Sequence, residues 1–323
     1  MARALRIEYK GAFYHVTSRG NERKNVFFAR SDYLKFQAYL EEAGKKYGYF
    51  LHSYVLMPNH YHLLIETPKG NLSKLMHYIN GSYTNYINRR KGRSGHLFQG
   101  RYKAILVDCD KYFLELSRYI HLNPVKAGIV KMPRDYPYSS YRAFIANKKE
   151  NDIVHRELIW RMISKHLKAS AAQYRAFVEQ SIYGDLESPL KDVYAGAILG
   201  GKRFTREALA RLKHDVLYRE EVAHRRQLQA EFEADEILSL VSKYLGKSVD
   251  DLASGKGDLR DTAIYLVKRY TGMTNRQIGE IYGGLSYSAV GKICKRFSEK
   301  MERERLLKKK LNALIRHISN VKG

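Results

Sequence analysis

Apolar and polar positions change period several times along the first 147 residues, and each change marks an element. Residues 12–17 read as a strand. Tyr33, Phe36, Leu40, Ala43 and Tyr47 then recur at spacings of three and four behind Ser31, which predicts an amphipathic helix with the serine as its cap. Residues 54–57 and 61–66 are apolar runs on either side of Pro58-Asn59, a turn-forming pair, and so predict a hairpin. Asn71 is placed to cap a second helix with the stripe Leu72, Leu75, Met76, Ile79, Tyr83 and Tyr86. Residues 103–107 predict another strand. Asp110 caps a helix through Phe113, Leu116 and Ile120 that Pro124 should stop, because proline pushes its predecessor out of the helical region. The order β-α-β-β-α-β followed by a helix is that of a ferredoxin-like split βαβ fold, of class α+β.

The pattern then changes. From 148 to 233 the chain is polar, with charged stretches at 203–211 and 219–226, and reads as an all-α connector. From 234 to 323 it carries several amphipathic helices and the basic run Lys308, Lys309 and Lys310. Within 259–297 a helix runs to Gly272, a second covers 275–282, Gly283-Gly284 makes a turn, and a third begins near Ser286. Two helices joined by a short glycine turn predict a helix-turn-helix, whose second helix would enter a major groove. Ile278, Ile281, Val290 and Ile293 supply its packing faces, Lys292, Lys295 and Arg296 its outward side, and Arg276 stands on the preceding helix. Three domains follow: 1–147, 148–233 and 234–323. The run 196–203, GAILGGKR, nearly fits a phosphate loop, but Arg203 stands where a magnesium-binding Ser or Thr is needed and no clear strand precedes it, so ATP binding is not expected.

Charge narrows the partners. The 323 residues hold 58 Lys plus Arg against 33 Asp plus Glu, a formal excess of 25 positive charges spread along the chain. Such a surface suits a polyanion, and nucleic acid fits best, since neutralising phosphates releases condensed counterions. No membrane partner is expected: Ala2 stands where myristoylation needs glycine, no cysteine lies near the end for prenylation, and no run approaches the ~20 apolar residues of a span. With only Cys109 and Cys294, and an N-terminus lacking a signal-peptide core, the expected location is the cytoplasm, in association with the nucleoid.

The candidate chemistry starts at His60-x-His62. On a strand, side chains two apart share a face, so two imidazoles stand side by side while Tyr61 faces away, a geometry suited to one metal ion. Downstream, Tyr119 and Asn123 lie four apart in the last turn of a helix, where a phenol and an amide oxygen can converge. Two imidazole nitrogens and one amide oxygen suit Mg²⁺ or Mn²⁺ and leave positions open for phosphate oxygens. A phosphoryl group polarised in this way can be attacked by tyrosine. Among 26 tyrosines, Tyr83, Tyr86 and Tyr112 rival Tyr119 as nucleophile, and spacing alone does not separate them. Basic residues that would hold a strand follow the first β-segment (Arg19, Arg23, Lys24), the second helix (Arg89, Arg90, Lys91, Arg93) and flank Tyr102 (Arg101, Lys103). Basic groups interleaved with aromatics suit single strands.

The stretches FYHVTSRGN, MPNHYHLLIE, HLFQGRYKAILVD and RYIHLNPVKAGIV, in that order over about the first 145 residues, resemble the REP-associated tyrosine transposases of the HUH superfamily. That resemblance implies that His60 and His62 are metal ligands, that Tyr119 forms a 5′-phosphotyrosine, and that Asn123 takes the third ligand position, a glutamine in some relatives. It further implies a single-strand endonuclease and strand transferase acting at hairpin-forming DNA repeats. The stretch 259–297 resembles the DNA-binding domain of the replication initiator DnaA, which implies a duplex DNA partner. Where that family has Arg, Asp and His after the paired glycines, this chain has Leu285, Ser286 and Tyr287, so base specificity does not carry over. A non-cleaving DNA-binding regulator and a replication or mobilisation relaxase are the alternatives, and monomer and homodimer both stay open.

Overall fold

Five strands, β1 (Ala12–Arg19), β2 (Phe50–Met57), β3 (His60–Thr67), β4 (Lys103–Val107) and β5 (Ile198–Leu199), form one sheet in the order β2-β3-β1-β4-β5. They are seen in a computed structural model that describes residues 6–146, 153–164, 167–184, 187–211, 232–254 and 257–320. β3 runs antiparallel to both β1 and β2, and β4 antiparallel to β1. α1 (Arg30–Tyr47) therefore crosses between the parallel strands β1 and β2, and α2 (Leu72–Lys91) between β3 and β4. This is the split βαβ arrangement and the α+β class expected from the periodicities.

Alternation sorts the strands into two faces. Tyr61 points to α1 and α2, where its ring meets Phe36 and its hydroxyl donates to Asn80 Oδ1 at 2.7 Å. His62 points the other way, to α3 (Cys109–Lys126), as do Phe13 and His52 against Phe113. Register fixes the neighbours of the histidines on that face: Arg19, His60 and Met57 form one cross-strand row, and Lys103, Thr17, His62 and Val55 the next.

Several helix ends differ from the expected ones. Ser31 lies inside α1. The service expected of it comes from Asp32, whose carboxylate accepts from the N–H groups of Phe28 (2.8 Å) and Ala29 (2.9 Å). Asn71 holds the cap position of α2 without a side-chain cap bond and spends its amide on Tyr47 O. α3 starts one residue before Asp110, with Asp108 at the cap, and Pro124 does not stop it. The ring sits in the last turn, where Ala127 N–H closes on Asn123 O and Ile129 N–H on Pro124 O, both at 2.9 Å. The first hairpin strand begins at Phe50, ahead of residues 54–57, and an irregularity between Leu51 and Ser53 breaks the alternation of its first half.

The chain forms two compact units, one within Ala4–Leu212 and one within Lys213–Gly323. Much of the stretch read as a connector belongs to the first unit, with two of its helices packed against α3 and one short strand added to the sheet. α4 (Tyr141–Ile145), α5 (Glu157–Ile163) and α6 (Leu167–Glu179) follow α3, and β5 adds a strand parallel to β4. The glycine-rich run 196–203 is split between β5 and α7 (Lys202–Ala210), so a short strand does precede its helix. A Cβ at Gly200 would strike the Phe204 ring at 2.3 Å, which explains that glycine by packing. The charged stretch 219–226 lies outside the described residues.

In the second unit α8 (Ala234–Leu245), α9 (Val249–Ser254), α10 (Asp258–Tyr270), α11 (Asn275–Ile281), α12 (Tyr287–Arg303) and α13 (Arg305–Asn320) enclose a core that includes Ile237, Val241, Ile264, Val267, Ile278, Val290 and Phe297. Thr274 and Gln277 form a reciprocal capping box at the start of α11, and Ser286 Oγ caps α12 by accepting from Ala289 N–H. A side chain at Gly279 would meet Leu285 O at 1.9 Å, so only glycine lets the turn fold back this closely.

Candidate active site

β3 begins at His60, directly after the Pro58-Asn59 turn, and both histidines reach the α3 face. Their ring centroids are 5.1 Å apart and nearly perpendicular. His60 Nδ1 lies 2.6 Å from Asn59 Oδ1, and the Asn59 amide nitrogen donates to Arg23 O at 3.1 Å. That second bond fixes which way the amide points, and an amide oxygen only accepts, so His60 carries its proton on Nδ1 and keeps a lone pair on Nε2. His62 Nδ1 meets His15 Nε2 at 2.8 Å, with the two rings stacked at 5.1 Å. Either tautomer leaves the buried His15 Nδ1 without a partner. The tautomer in which His62 donates is the one that frees His62 Nε2.

Burial keeps these rings neutral. It lowers His15 to about 4, and with the Arg19 charge as a second cause it lowers His60 to about 4 as well. His62 is pushed well below the usual imidazole range by burial first and then by His15 and His60. Neutral imidazole is the form that ligates metals.

Of the four candidate tyrosines, Tyr119 stands against His62 and its partner His15. Its ring lies edge-on to His62 at 5.9 Å and to His15 at 6.4 Å. Tyr83 is buried on the opposite face, where its hydroxyl donates to Val26 O. Tyr86 shares α2 with it and accepts from Arg90 at 3.4 Å, while Tyr112 donates to Asp192 at 3.4 Å. Asn123, one turn beyond Tyr119, donates from Nδ2 to Tyr119 O at 2.8 Å, which leaves Oδ1 as its outward acceptor. No group of three His, Cys, Asp or Glu side chains able to hold a metal occurs among the described residues. A third protein ligand would therefore be of another type, and the Asn123 amide oxygen has the right chemistry for a hard cation.

The basic positions divide. Arg19 and Lys103 are exposed on the histidine face, in the two rows that contain His60 and His62. Arg23, Lys24, Arg89, Arg93 and Arg101 are exposed, although Lys24 pairs with Glu22 at 2.7 Å and Arg93 donates to His96 O. Arg90 is engaged with the buried carboxylate of Asp32 and with Ser31 Oγ, so it fastens α2 to α1. In the second unit Lys292, Lys295 and Arg296 are exposed on α12, with Arg296 held by Asp261 at 2.9 Å and Arg276 by Glu280 at 3.6 Å. Three contributors were not assigned from sequence: His15, Asn59 and Lys126, whose ammonium lies 5.9 Å from the Tyr119 ring centre. Asn59 could have been suspected from its place beside His60, but His15 becomes visible only once β1 is registered against β3.

Residues 8–123, which contain this centre, match the family described as Transposase IS200 like. Within that class, a Haemophilus influenzae protein described as a REP-associated tyrosine transposase is 28% identical over 144 residues, which make up 41% of this chain and 81% of the relative. The solved structure of a REP-associated tyrosine transposase bound to a REP hairpin is similar at a TM-score of 0.40 and 20% identity, over 48% of this chain and 98% of that one. The chromosomal replication initiator protein DnaA of Bifidobacterium animalis subsp. lactis is 29% identical over 136 residues, 40% of this chain, of which the match spans only 22% of the initiator. Both resemblances read from the motifs thus recur. No helix among the described residues is long and apolar enough to cross a membrane.

Proposed function

We propose that this chain cuts and rejoins single-stranded DNA at hairpin-forming repeats, with Tyr119 as nucleophile and His60, His62 and Asn123 as holders of Mg²⁺ or Mn²⁺. The observation that carries the reading is the placement of Tyr119, alone among the four candidate tyrosines, against the ring of His62. When bound, the divalent ion supplies Lewis-acid polarisation of a phosphoryl oxygen and stabilises charge in an in-line displacement. His60 and His62 offer Nε2 lone pairs to it, each with Nδ1 engaged by Asn59 or His15. Arg19 and Lys103 flank the pair on the same face and neutralise neighbouring phosphates.

The Tyr119 oxygen forms a bond to phosphorus as the bond from phosphorus to the 3′ oxygen breaks. The phenolic proton is released, the departing oxygen takes up a proton to become a 3′-hydroxyl, and the 5′ side stays on the protein as a phosphotyrosine. Because that ester conserves the energy of the broken bond, a second 3′-hydroxyl can reverse the step and join a new strand without ATP. The exposed basic residues of α12 would bring the chain to duplex DNA.

The test is a covalent adduct. Oligonucleotides from the repeats flanking the gene, incubated with the protein and Mn²⁺, are expected to yield a species that survives denaturing electrophoresis. Tyr119→Phe should abolish it and Tyr112→Phe should not. An adduct formed by Tyr119→Phe overturns the nucleophile assignment. Binding without Mn²⁺ and without cutting of any repeat would instead describe a DNA-binding regulator.

A further inference from the structure

The helix that carries Tyr119 is also gripped from behind. Tyr119 and Asn123 lie one turn apart, as do Ser117 and His121, and the two pairs are offset by two residues, roughly 200° around the helix. Ser117 and His121 therefore occupy the opposite side of α3, and both are fully buried. There His121 Nδ1 lies 2.7 Å from the Tyr174 hydroxyl of α6 and His121 Nε2 lies 2.7 Å from Ser140 Oγ. The Tyr174 hydroxyl also donates to Ser117 Oγ at 3.0 Å.

The protons in this chain can be assigned. Ser117 Oγ–H donates to Leu114 O, so it must accept from Tyr174. Tyr174 has spent its one proton and must accept from His121 Nδ1–H. His121 Nε2 is then an acceptor and takes the Ser140 hydroxyl proton at 2.7 Å in preference to Tyr54 O, which lies farther away at 3.2 Å, while Ser140 Oγ accepts from Tyr54 N–H at 2.9 Å. One neutral tautomer satisfies every member, and the chain runs without a gap from α6 through α3 to the backbone of β2. Fully satisfied buried polar networks fix one arrangement, since any displacement leaves a desolvated group unpaired. Arg118 adds a second fastening: its guanidinium covers the Phe177 ring at 4.3 Å and donates to Ser181 Oγ at 3.0 Å.

We propose that α6 is a brace for the nucleophile helix, with Tyr174 and His121 acting as positioning residues for Tyr119. The catalytic half of the chain then extends past residue 147 into the stretch that looked like a spacer. This inference rests on the strand-cleavage reading only for its effect on rate.

The test compares two full-length variants that each lose one buried hydroxyl. Tyr174→Phe breaks the brace, whereas Tyr49→Phe removes a bond to Leu40 O in the middle of α1. In Tyr174→Phe, hydrogen exchange of the α3 amides after Tyr119 should rise about tenfold, and single-turnover cleavage should slow about tenfold while oligonucleotide Kd stays within about twofold. Tyr49→Phe should change neither. Equal changes in both variants, or α3 exchange that does not respond to Tyr174→Phe, would overturn the brace. Faster α3 exchange in Tyr174→Phe alone supports it even where the wild type cuts no oligonucleotide, an outcome that removes the cleavage reading and not this one.

Discussion

Tyr61, Leu63 and Ile65 share β3 with His60, His62 and Leu64, one residue out of step, and the two sets are held in opposite ways. On the α1 and α2 side, Phe27, Phe36, Tyr61 and Tyr83 pack ring against ring with centroids about 5 Å apart, and the hydroxyls of Tyr61 and Tyr83 donate to Asn80 and to Val26 O. On the α3 side the same sheet buries imidazoles, and what orders them is hydrogen bonding: Asn59 to His60, His15 to His62, and Ser140 and Tyr174 to His121. Apolar burial is the larger and less directional term, whereas buried polar groups stabilise little on balance but are costly to misplace. Both faces bury apolar side chains, Phe113, Leu116 and Ile120 among them on the α3 side, but only the α3 side adds the hydrogen bonds that set imidazole geometry.

The comparison breaks first, and by the largest amount, at Phe36. It is fully buried, and Phe36→Ala should cost about 3–5 kcal/mol in denaturant unfolding while leaving Mn²⁺ affinity of the folded protein unchanged. A loss below about 1 kcal/mol would mean that the aromatic face is not where the stability lies. Next in size is His15. His15→Ala should weaken Mn²⁺ binding about 10- to 100-fold, read by titration of the whole chain, because His62 loses the acceptor that sets its tautomer. His15→Gln restores an amide oxygen as acceptor and should recover part of that loss. Unchanged affinity in His15→Ala would remove His15 from the site.

The dry face was legible in the sequence and the polar face only in part, for a physical reason. Phe36, Leu40, Leu75, Met76 and Ile79 announce themselves through helical spacing, a local property. His60 and His62 were legible as well, since two imidazoles two residues apart on a strand share a side whatever surrounds them. Their partners come from elsewhere. His15 sits 47 positions from His62 and reaches it diagonally across β1 and β3, and Tyr174 sits 53 positions from His121. Proline as a helix breaker predicts an earlier end for α3 than the structure has, because in a last turn its missing N–H costs one bond and the following amides close the helix. The stretch after residue 147 looked like a spacer because its polar surface dominates the composition, while single residues such as Tyr174 and the two-residue β5 carry its attachment.

The smallest expected effect is also the one that separates the faces by chemistry. His15 titrates near 4 in the folded chain against about 6.5 when unfolded, and burial is the cause. On acidification the unfolded state takes up this proton first, so stability is complete above pH ~6.5 and declines as the pH falls toward about 4. His60 contributes with the same sign, lowered by burial and by Arg19. Between pH 7 and pH 6 the His15 share is roughly 1 kcal/mol or less. The rings of Phe27 and Phe36 on the aromatic face carry no ionisable group. Phe36→Ala should therefore lower the whole stability curve without changing its acid slope, whereas His15→Gln should flatten that slope, both read from denaturation midpoints across the pH range. Parallel curves for wild type and His15→Gln would show that the buried imidazole is not what makes this face sensitive to acid.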